Sequence, residues 1–171
     1  MSGEAPGDAG DSRRTRLPVT LIPVTRANWQ AVIALRVAHE QAGNLASNLY
    51  SLAEAYVEPV CRPRAIVAGR TVVGFAMYEY VAAENIFNIP RFMIDAGWQG
   101  YGYGRAGLER LLDELAGERP SAAVLISLRP DNAAARRLYA RLGFAETGRR
   151  VHGEDIMRRA PDTASDPEDH A

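Results

Sequence analysis

The chain has 171 residues, of which 47% are hydrophobic and 24% are charged, values typical of one globular domain with a hydrophobic core. Its net charge is −1, so no overall field draws it to nucleic acid or to a membrane surface. With one cysteine and three widely spaced histidines, neither a disulfide framework nor a metal site is expected.

Both ends of the chain are polar and lack hydrophobic periodicity. Residues 1–16 predict a flexible N-terminal segment and residues 160–171 a disordered acidic tail, which leaves a folded domain over residues 17–159. No apolar run has the length that spans a membrane, and the N-terminal residues lack the pattern of a secretion signal. We therefore expect a cytoplasmic protein.

The domain begins with a strand and two helices. Residues 19–24 predict a short strand, and Thr25 is suited to cap a helix over residues 26–37. Asn48 is suited to cap a second helix over residues 49–57. In that helix the apolar spacing predicts an inward face of Leu49, Leu52, Ala53 and Tyr56.

Three strands follow the two helices. Residues 64–69 and 71–81 predict the two strands of a β-hairpin, with its turn at Gly69 and Arg70. Residues 85–95 predict the next strand, although Pro90 has no N–H to donate within a sheet. The proline therefore predicts a bulge or an unpaired position in this strand.

The second half of the domain alternates between helix and strand. Leucines at helical spacing give residues 104–117 one apolar face, and residues 122–128 predict a buried strand. Asp131 or Asn132 caps a further helix, which Gly143 ends. A final hairpin then completes the order β-α-α-β-β-β-α-β-α-β-β, which predicts an α/β (α+β) domain around a mixed sheet.

Three alternate glycines precede the helix over residues 104–117. Gly100, Gly102 and Gly104 allow close approach to the main chain, and the unpaired N–H groups at a helix start suit an anion. A nucleoside-triphosphate loop requires lysine, which the chain lacks, and a dinucleotide fingerprint requires glycine where Arg105 stands. Neither of these two phosphate loops fits.

The loop belongs to a pattern in two pieces, Gln-x-x-Gly-x-Gly from Gln99 and, about thirty residues on, Asn-x-x-Ala-x-x-Leu-Tyr-x-x-x-Gly-Phe from Asn132. With both pieces in order, the chain resembles the GNAT superfamily of N-acetyltransferases over residues 19–159. The stretches LASNLYSLAEAY, VGFAMYEY and RFMID are similar to bacterial polyamine acetyltransferases of the spermine/spermidine type. The resemblance implies a mostly antiparallel twisted sheet of six to seven strands, flanked by about four helices, with splayed strands forming a coenzyme A cleft.

The resemblance also implies acetyl-CoA as the acetyl donor and no metal. Many family members carry a basic residue at the position of Tyr101. Because tyrosine replaces it in this chain, one expected phosphate contact is missing. Asn132 either contacts the pantetheine arm or caps its helix. The residues implied to bind the coenzyme are Phe92, Met93, Ile94, Gln99, Gly100, Tyr101, Gly102, Tyr103, Gly104, Arg105, Asn132 and Ala135.

Tyr139 is the candidate catalytic residue, as a general acid that protonates the departing sulfur. Its place on the apolar side of its helix also fits a tyrosine that only fills a core. A main-chain N–H near Met93 is suited to polarise the thioester carbonyl. Residues 86–94 contain no carboxylate, so removing a proton from the amine calls for a water relay toward Glu40, Glu79 or Glu84.

The acceptor implied is a small-molecule primary amine, foremost a polyamine such as spermidine or spermine. Carboxylates suit such a polycation, and Glu40, Glu54, Glu58, Glu79 and Glu84 are the candidates, with polar contacts from Asn44, Asn48 and Tyr50. The alternatives are another amine (an antibiotic, an amino acid or a protein N-terminus) or a coenzyme A sensor without turnover. We expect no nucleic-acid or membrane partner, and the resemblance allows a homodimer.

Overall fold

The computed structural model describes residues 17–38 and 46–161, and its elements follow the predicted order. The strands are β1 Val19–Pro23, β2 Arg62–Ala68, β3 Thr71–Val81, β4 Ile86–Ile94, β5 Ala123–Leu128, β6 Ala145–Val151 and β7 Glu154–Arg159. The helices are α1 Trp29–Ala34, α2 Asn48–Val57, α3 Tyr103–Glu118 and α4 Ala133–Arg141. A single 3₁₀ turn at Ala96–Trp98 follows β4.

The seven strands form one sheet in the order β1-β2-β3-β4-β5-β7-β6. Every neighbouring pair is antiparallel except β4 and β5, which run parallel. This confirms the predicted mixed, mostly antiparallel sheet. The parallel pair requires a crossover, and α3 supplies it.

The two parallel strands diverge halfway along β4. Ile86–Ile89 pairs with Ala123–Ile126, and the rest of β4 pairs with β3 alone. The register against β3 shifts where Ile89 and Pro90 lie opposite the single residue Tyr78. Pro90 cannot donate to a neighbouring strand, so the predicted bulge lies where β4 leaves β5.

Hydrophobic side chains bury both faces of the sheet. On one face the leucines of α3, among them Leu108 and Leu111, pack with Phe87 and with Tyr139 of α4. On the other face Val32 of α1 packs against Phe75, Met77 and Met93. The sheet therefore separates the α3–α4 side from the α1–α2 side.

Helix α1 is shorter than the predicted helix over residues 26–37. The main-chain oxygen of Thr25 accepts bonds from the N–H groups of Asn28 and Trp29, which forms a turn before the helix. After the helix, the Arg36 N–H donates to the Asp95 carboxylate at 2.8 Å, and the Arg36 oxygen accepts from Ala96 N–H at 2.7 Å. The backbone groups that would extend the helix are thus bonded to the end of β4.

Helix α2 differs from its prediction in both its cap and its buried face. Ser47, and not Asn48, is the cap, because its hydroxyl accepts the Tyr50 N–H at 3.1 Å. The predicted inward residues Leu49 and Tyr56 are 59% and 87% exposed, whereas the polar Asn48 and Ser51 are buried. The side of the helix that faces the sheet therefore contains Asn48 and Ser51 together with Leu52, which was predicted to lie inward, and Ala55.

Of the two residues predicted to cap α4, Asn132 is the cap. Asn132 Oδ1 accepts the Ala135 N–H at 3.0 Å, whereas the Asp131 carboxylate pairs with Arg129. Gly143, with φ of 85°, follows the helix as predicted. Asn132 is therefore held at the start of α4 by its own helix.

Candidate active site

A cleft of about 270 Å³ opens where β4 leaves β5. It lies between the second half of β4, the loop before α3 and the inner side of α4. Its lining residues are Val37, Phe92, Met93, Ile94, Gln99, Gly100, Gly104, Asn132, Ala134, Ala135, Leu138 and Tyr139. The cleft thus brings together most of the predicted coenzyme-binding residues and the predicted acid.

Three lining residues were not among the predicted site residues. Ala134 and Leu138 lie on α4 beside predicted residues, and the motif that contains them gave a signal. Val37 comes from the segment after α1, about sixty residues before the glycine loop, and no local pattern singles it out. It reaches the cleft because Asp95 bonds the neighbouring Arg36.

The second half of β4 offers main-chain groups to the cleft. Asp95 N–H donates to the Val73 oxygen at 2.9 Å, and in this register Met93 lies opposite Phe75. Bonding alternates along an antiparallel pair, so the Met93 N–H faces β3, and those of Phe92 and Ile94 face the cleft. The predicted polarising N–H near Met93 therefore belongs to one of its neighbours.

The Gln99 side chain secures the turn that follows this edge. Its Nε2 donates to the Ile94 main-chain oxygen at 2.9 Å. That bond satisfies the Ile94 carbonyl and holds the start of the glycine loop against the end of β4. Gln99 thus shapes the cleft as well as lining it.

The glycine loop leads directly into α3. Gly100 and Gly102 both have φ of 82°, and Gly102 is the residue before the first helical residue. No side chain caps this helix start and no acidic residue lies in its first turn. The N–H groups of Tyr103, Gly104 and Arg105 have no acceptor within the helix, so this end of α3 suits an anion.

The other side chains of the loop point elsewhere. Tyr103 is buried, its hydroxyl accepts the Leu17 N–H at 3.3 Å, and its ring packs on Trp98. Tyr101 is 47% exposed, and Arg105 pairs with Glu109 at 2.7 Å on the surface of α3. These predicted residues can offer the cleft their main-chain groups, while their side chains do not line it.

Tyr139 reaches the cleft from α4 and is 5% exposed. No group in residues 17–38 or 46–161 forms a hydrogen bond with its hydroxyl. Burial raises the pKa of this phenol well above its usual value, and the charge of Glu154 raises it further. The hydroxyl therefore keeps its proton through the neutral range.

A second cavity, of about 450 Å³, adjoins the cleft on the α1–α2 side of the sheet. We call it the α1–α2 cavity. Its lining residues are Ile33, Leu35, Arg36, Val37, Ala46, Ser47, Asn48, Leu49 and Met93. It shares Val37 and Met93 with the cleft, so a molecule in this cavity would lie beside the free edge of β4.

Residues 29–144 match the Acetyltransferase (GNAT) family. The chain belongs to this family, and the protein is an acetyltransferase. It is 29% identical over 148 residues to the spermine/spermidine N(1)-acetyltransferase of Bacillus subtilis, covering 82% of this chain and 97% of that protein. A 76-residue stretch, 44% of this chain and 49% of the relative, is 42% identical to the ribosomal protein bS18 alanine N-acetyltransferase of Escherichia coli.

Solved structures of GNAT enzymes share the fold. The structure of that Escherichia coli enzyme superposes with a TM-score of 0.68 at 26% identity, over 87% of this chain and 97% of the other. The spermidine N-acetyltransferase of Vibrio cholerae, solved with coenzyme A and spermine, gives 0.67 at 18% identity, over 82% and 93%. The predicted family, fold and enzyme class are confirmed.

The predicted acceptor residues of this GNAT protein are dispersed. Asn48 lines the α1–α2 cavity, whereas Tyr50 is 59% exposed and lines neither cavity. Glu79 accepts the Asn88 amide at 2.9 Å on the α1–α2 side of the sheet. Glu84 lies in the β3–β4 turn, about 25 Å from the cleft end of β4 at roughly 3.3 Å per residue. The structure therefore does not bring Glu84 to the site.

Glu40 and Asn44 fall in residues 39–45, which lie outside the described residues. The predictions that concern these two side chains, as an acceptor contact or as the end of a water relay, therefore stay predictions.

Three carboxylates gather around Cys61, at the end of α2 that lies away from the cleft. Burial raises the pKa of the Cys61 thiol, and the charges of Glu79, Glu54 and Glu58 raise it further. Glu54 also pairs with Arg91 of β4 at 3.2 Å. We call Glu54, Glu58 and Glu79 the acidic group; it shares the α1–α2 side of the sheet with Met93.

Two further classes of site were searched for in the residues that the structure describes. Those residues contain no group of three or more His, Cys, Asp or Glu side chains that could hold a metal ion. None of the described helices is both long and apolar enough to cross a membrane.

Proposed function

We propose that the protein transfers the acetyl group of acetyl-CoA to a primary amine by direct attack on the thioester, with a polyamine as the acceptor. The observation that carries the proposal is a convergence on one cleft. The free edge of β4, the loop that leads into the uncapped start of α3, and Tyr139 all meet there. Such a cleft can hold an extended chain by its amides, its charged end and its reactive end at once.

Acetyl-CoA, when bound, supplies the thioester. The N–H groups of residues 103–105 suit its pyrophosphate, because they lie at the positive end of a helix with no acidic residue in its first turn. The N–H groups of Phe92 and Ile94 suit the amide-rich pantetheine arm, which can pair with this edge of β4 in the manner of an added strand. Asn132 lines the same cleft while it caps α4, so the two predicted roles are compatible.

Tyr139 acts as the general acid in this proposal. Its raised pKa keeps the hydroxyl protonated at neutral pH, which is the form that can donate to the departing sulfur. Because no described residue hydrogen-bonds to this buried phenol, its hydroxyl is also available to bond to a ligand. One of the N–H groups flanking Met93 would stabilise the negative charge that develops on the thioester oxygen.

The amine loses its proton to water. Among the described residues that line the cleft and the α1–α2 cavity there is no carboxylate. An amine of ordinary pKa near 10 is mostly protonated at pH 7, so turnover should rise with pH through the neutral range. Glu40 and Glu79 remain the candidates for the far end of a water relay.

The polyamine is supported by the Bacillus subtilis relative, which matches along almost its whole length and is named for spermine and spermidine. It is also supported by the acidic group on the α1–α2 side of the sheet. In this proposal one amine of a long polycation lies in the α1–α2 cavity, and the rest of the molecule extends over the outer surface of α2, which covers this face of the sheet, toward those carboxylates. Opposite charges along an extended path favour such a substrate over a short neutral amine.

The N-terminal amine of a protein is the second candidate acceptor. The described residues that line the α1–α2 cavity are mostly apolar, with Arg36 as their charged member, and this lining suits a polypeptide end. The similarity to the ribosomal protein alanine N-acetyltransferase of Escherichia coli agrees with it.

A thiol-release assay with acetyl-CoA separates the candidates. We expect spermidine and spermine to give kcat/KM values at least about tenfold above those of free alanine and a peptide that begins with alanine, a difference of roughly 1.4 kcal/mol. A higher value for the peptide would establish the second candidate. If none of the amines supports thiol release although calorimetry shows that coenzyme A binds, the protein would be a sensor and the proposal would be overturned.

A matched pair of variants tests the acidic group. Glu58→Gln should raise the KM for spermine several-fold, because one attractive charge is lost, and leave the KM for the alanine peptide unchanged. Glu118→Gln removes a carboxylate that pairs with Arg62 on the α3 side, and should change neither. Equal effects of the two changes would exclude the acidic group from substrate binding.

A further inference from the structure

Asn48 is one of two polar residues buried among those the structure describes, and it lines the α1–α2 cavity. We infer that its side-chain oxygen accepts an N–H of the acceptor amine and thereby positions the nitrogen beside the free edge of β4. The inference rests on the proposed function, because it assigns the acceptor to this cavity. It adds the atom that recognises the amine, whatever the rest of the acceptor is.

The orientation of the Asn48 amide is fixed by its partners. Its Nδ2 donates to the Val32 main-chain oxygen at 2.9 Å and to the Met93 sulfur at 3.8 Å. The Val32 oxygen can only accept, so the nitrogen of the amide must face it and the oxygen must face away. Both N–H groups of Asn48 are thus used within the protein.

The side-chain oxygen of Asn48 is left for a ligand. No donor among residues 17–38 and 46–161 bonds to it. None of the buried side-chain polar atoms of these residues lacks a partner, so this oxygen is not enclosed. Since Asn48 lines the α1–α2 cavity, we take the oxygen to open into it, next to Met93.

The other polar side chains of the cavity are already engaged. Arg36 Nη1 donates to the main-chain oxygens of Ile33 and Leu35 at 2.7 and 2.8 Å. The Ser47 hydroxyl accepts the Tyr50 N–H. Among the described lining residues, the Asn48 oxygen is therefore the side-chain amide or hydroxyl acceptor that has no bond within the described protein.

A neutral oxygen suits this task better than a carboxylate does. A carboxylate beside the amine would favour its charged form and raise its pKa, which opposes attack. An amide oxygen accepts one N–H from either form and leaves the lone pair of the neutral amine free. It therefore orients the nitrogen without holding its proton.

The test uses steady-state kinetics of the full chain with the best acceptor from the amine panel. Asn48→Ala should raise the KM for the amine about tenfold and leave the KM for acetyl-CoA unchanged, because of the two substrates only the amine loses a bond. Asn48→Asp should move the acid limb of the kcat profile to higher pH, since the carboxylate would hold the proton of the amine. Among the described residues that line the cavity with Asn48, Arg36 is the charged one.

Ser51→Ala is the matched control. Ser51 is the other buried polar residue of α2, and its hydroxyl bonds to the Ser47 oxygen and to Arg91 without lining the cavity. Its loss should lower stability and leave both KM values unchanged. If Asn48→Ala leaves the KM for the amine unchanged, or changes both KM values equally, the inference is overturned.

A measurement on the unmodified protein covers the case in which the Asn48 variants do not fold. The trimethylammonium analogue of the best acceptor keeps the charge but has no N–H at the reacting nitrogen. It should bind the coenzyme A complex at least about tenfold more weakly than the acceptor. Equal binding of the two would overturn the inference, whereas absence of turnover with every amine would overturn the proposed function instead.

Discussion

At the residue scale, the hydroxyl of Tyr139 carries the sharpest prediction. Tyr139→Phe should lower kcat on the order of 10²-fold, the lower end of what a general acid contributes, and leave the KM for acetyl-CoA within about twofold. No described residue bonds to this hydroxyl, so its removal leaves no buried partner unpaired and the fold should keep its stability. Steady-state kinetics and thermal unfolding measure the two effects.

The control for this change is Tyr80→Phe, because the Tyr80 hydroxyl bonds to Asn85 at 2.9 Å near the opposite end of the sheet. It should leave kcat unchanged. The raised pKa of Tyr139 also means that the wild-type kcat should not fall between pH 7 and about 10, the ordinary value for tyrosine. An undiminished kcat in Tyr139→Phe would remove the acid role.

Residues in a short motif could be predicted to lie at the cleft, whereas side-chain positions that depend on distant segments could not be predicted. Tyr139, Asn132 and the glycines lie in two compact patterns, and Tyr139, Asn132, Gly100 and Gly104 line the cleft. The hydroxyl of Tyr103 and the amide of Gln99 instead bond to Leu17 and Ile94, which no spacing rule reveals. Local patterns specify which backbone is offered to a ligand, and tertiary contacts decide where each side chain points.

At the element scale, the start of α3 is the part most sensitive to one substitution. Gly102 has φ of 82°, a conformation that a β-branched residue rarely adopts. Gly102→Val should therefore move the first N–H groups of α3 and weaken coenzyme A binding at least about tenfold. Isothermal titration calorimetry with coenzyme A measures the change.

Gly148→Val is the matched control for this loop. Gly148 has φ of 70° in β6, and a side chain there would meet open space. The substitution imposes similar backbone strain far from the cleft, so it should cost stability without changing the affinity for coenzyme A. Equal weakening by both variants would mean that the loop has no special part in binding.

The contact between α4 and the last hairpin should respond to acid. Hydrogen bonds from Arg150 and Arg136, both at 2.8 Å, hold the pKa of Asp155 below its usual value. A lowered pKa in the folded state adds stability that is complete above about pH 4 and is lost as the pH falls through the folded value. Asp155→Asn should therefore lower the urea midpoint at pH 7.

The difference between wild type and Asp155→Asn should shrink as the pH falls below about 4 and the Asp155 carboxylate takes up its proton. Asp113→Asn is the control, because Asp113 is 71% exposed and its oxygen is 3.7 Å from Arg110. It should leave the midpoint almost unchanged at either pH. A gap for Asp155→Asn that persists unchanged in acid would exclude the charge as its cause.

Periodicity predicted the strands, the presence of helices α1 to α4 and the buried side of α3, whereas the length of α1 and the buried side of α2 could not be predicted. Leu108 and Leu111 mark the buried side of α3, and that side is buried. In α2 the same reasoning selected Leu49 and Tyr56, which are exposed, because the helix turns Asn48 inward to bond Val32. A hydrogen bond across sixteen residues overrides a weak apolar pattern in a short helix.

At the scale of the whole molecule, the cleft divides the sheet into two parts. Strands β1–β4 form one part and β5, β7 and β6 the other, joined by pairing of Ile86–Ile89 with Ala123–Ile126. Beyond that joint the two parts face each other across the cleft, with Phe92 on one wall and Tyr139 on the other. A ligand that fills the cleft therefore contacts both parts and should couple their unfolding.

Coenzyme A should accordingly stabilise the molecule as a unit. At a hundredfold excess over its dissociation constant, a ligand of the native state adds about 2.7 kcal/mol, which raises Tm by roughly 5–10 °C for a domain of this size. Hydrogen exchange should slow in both the second half of β4 and α4, since each forms one wall of the cleft. Pantetheine alone, which lacks the pyrophosphate, should give a smaller shift at equal concentration. A full shift in Tm with exchange slowed on one wall only would show that the ligand binds outside the cleft.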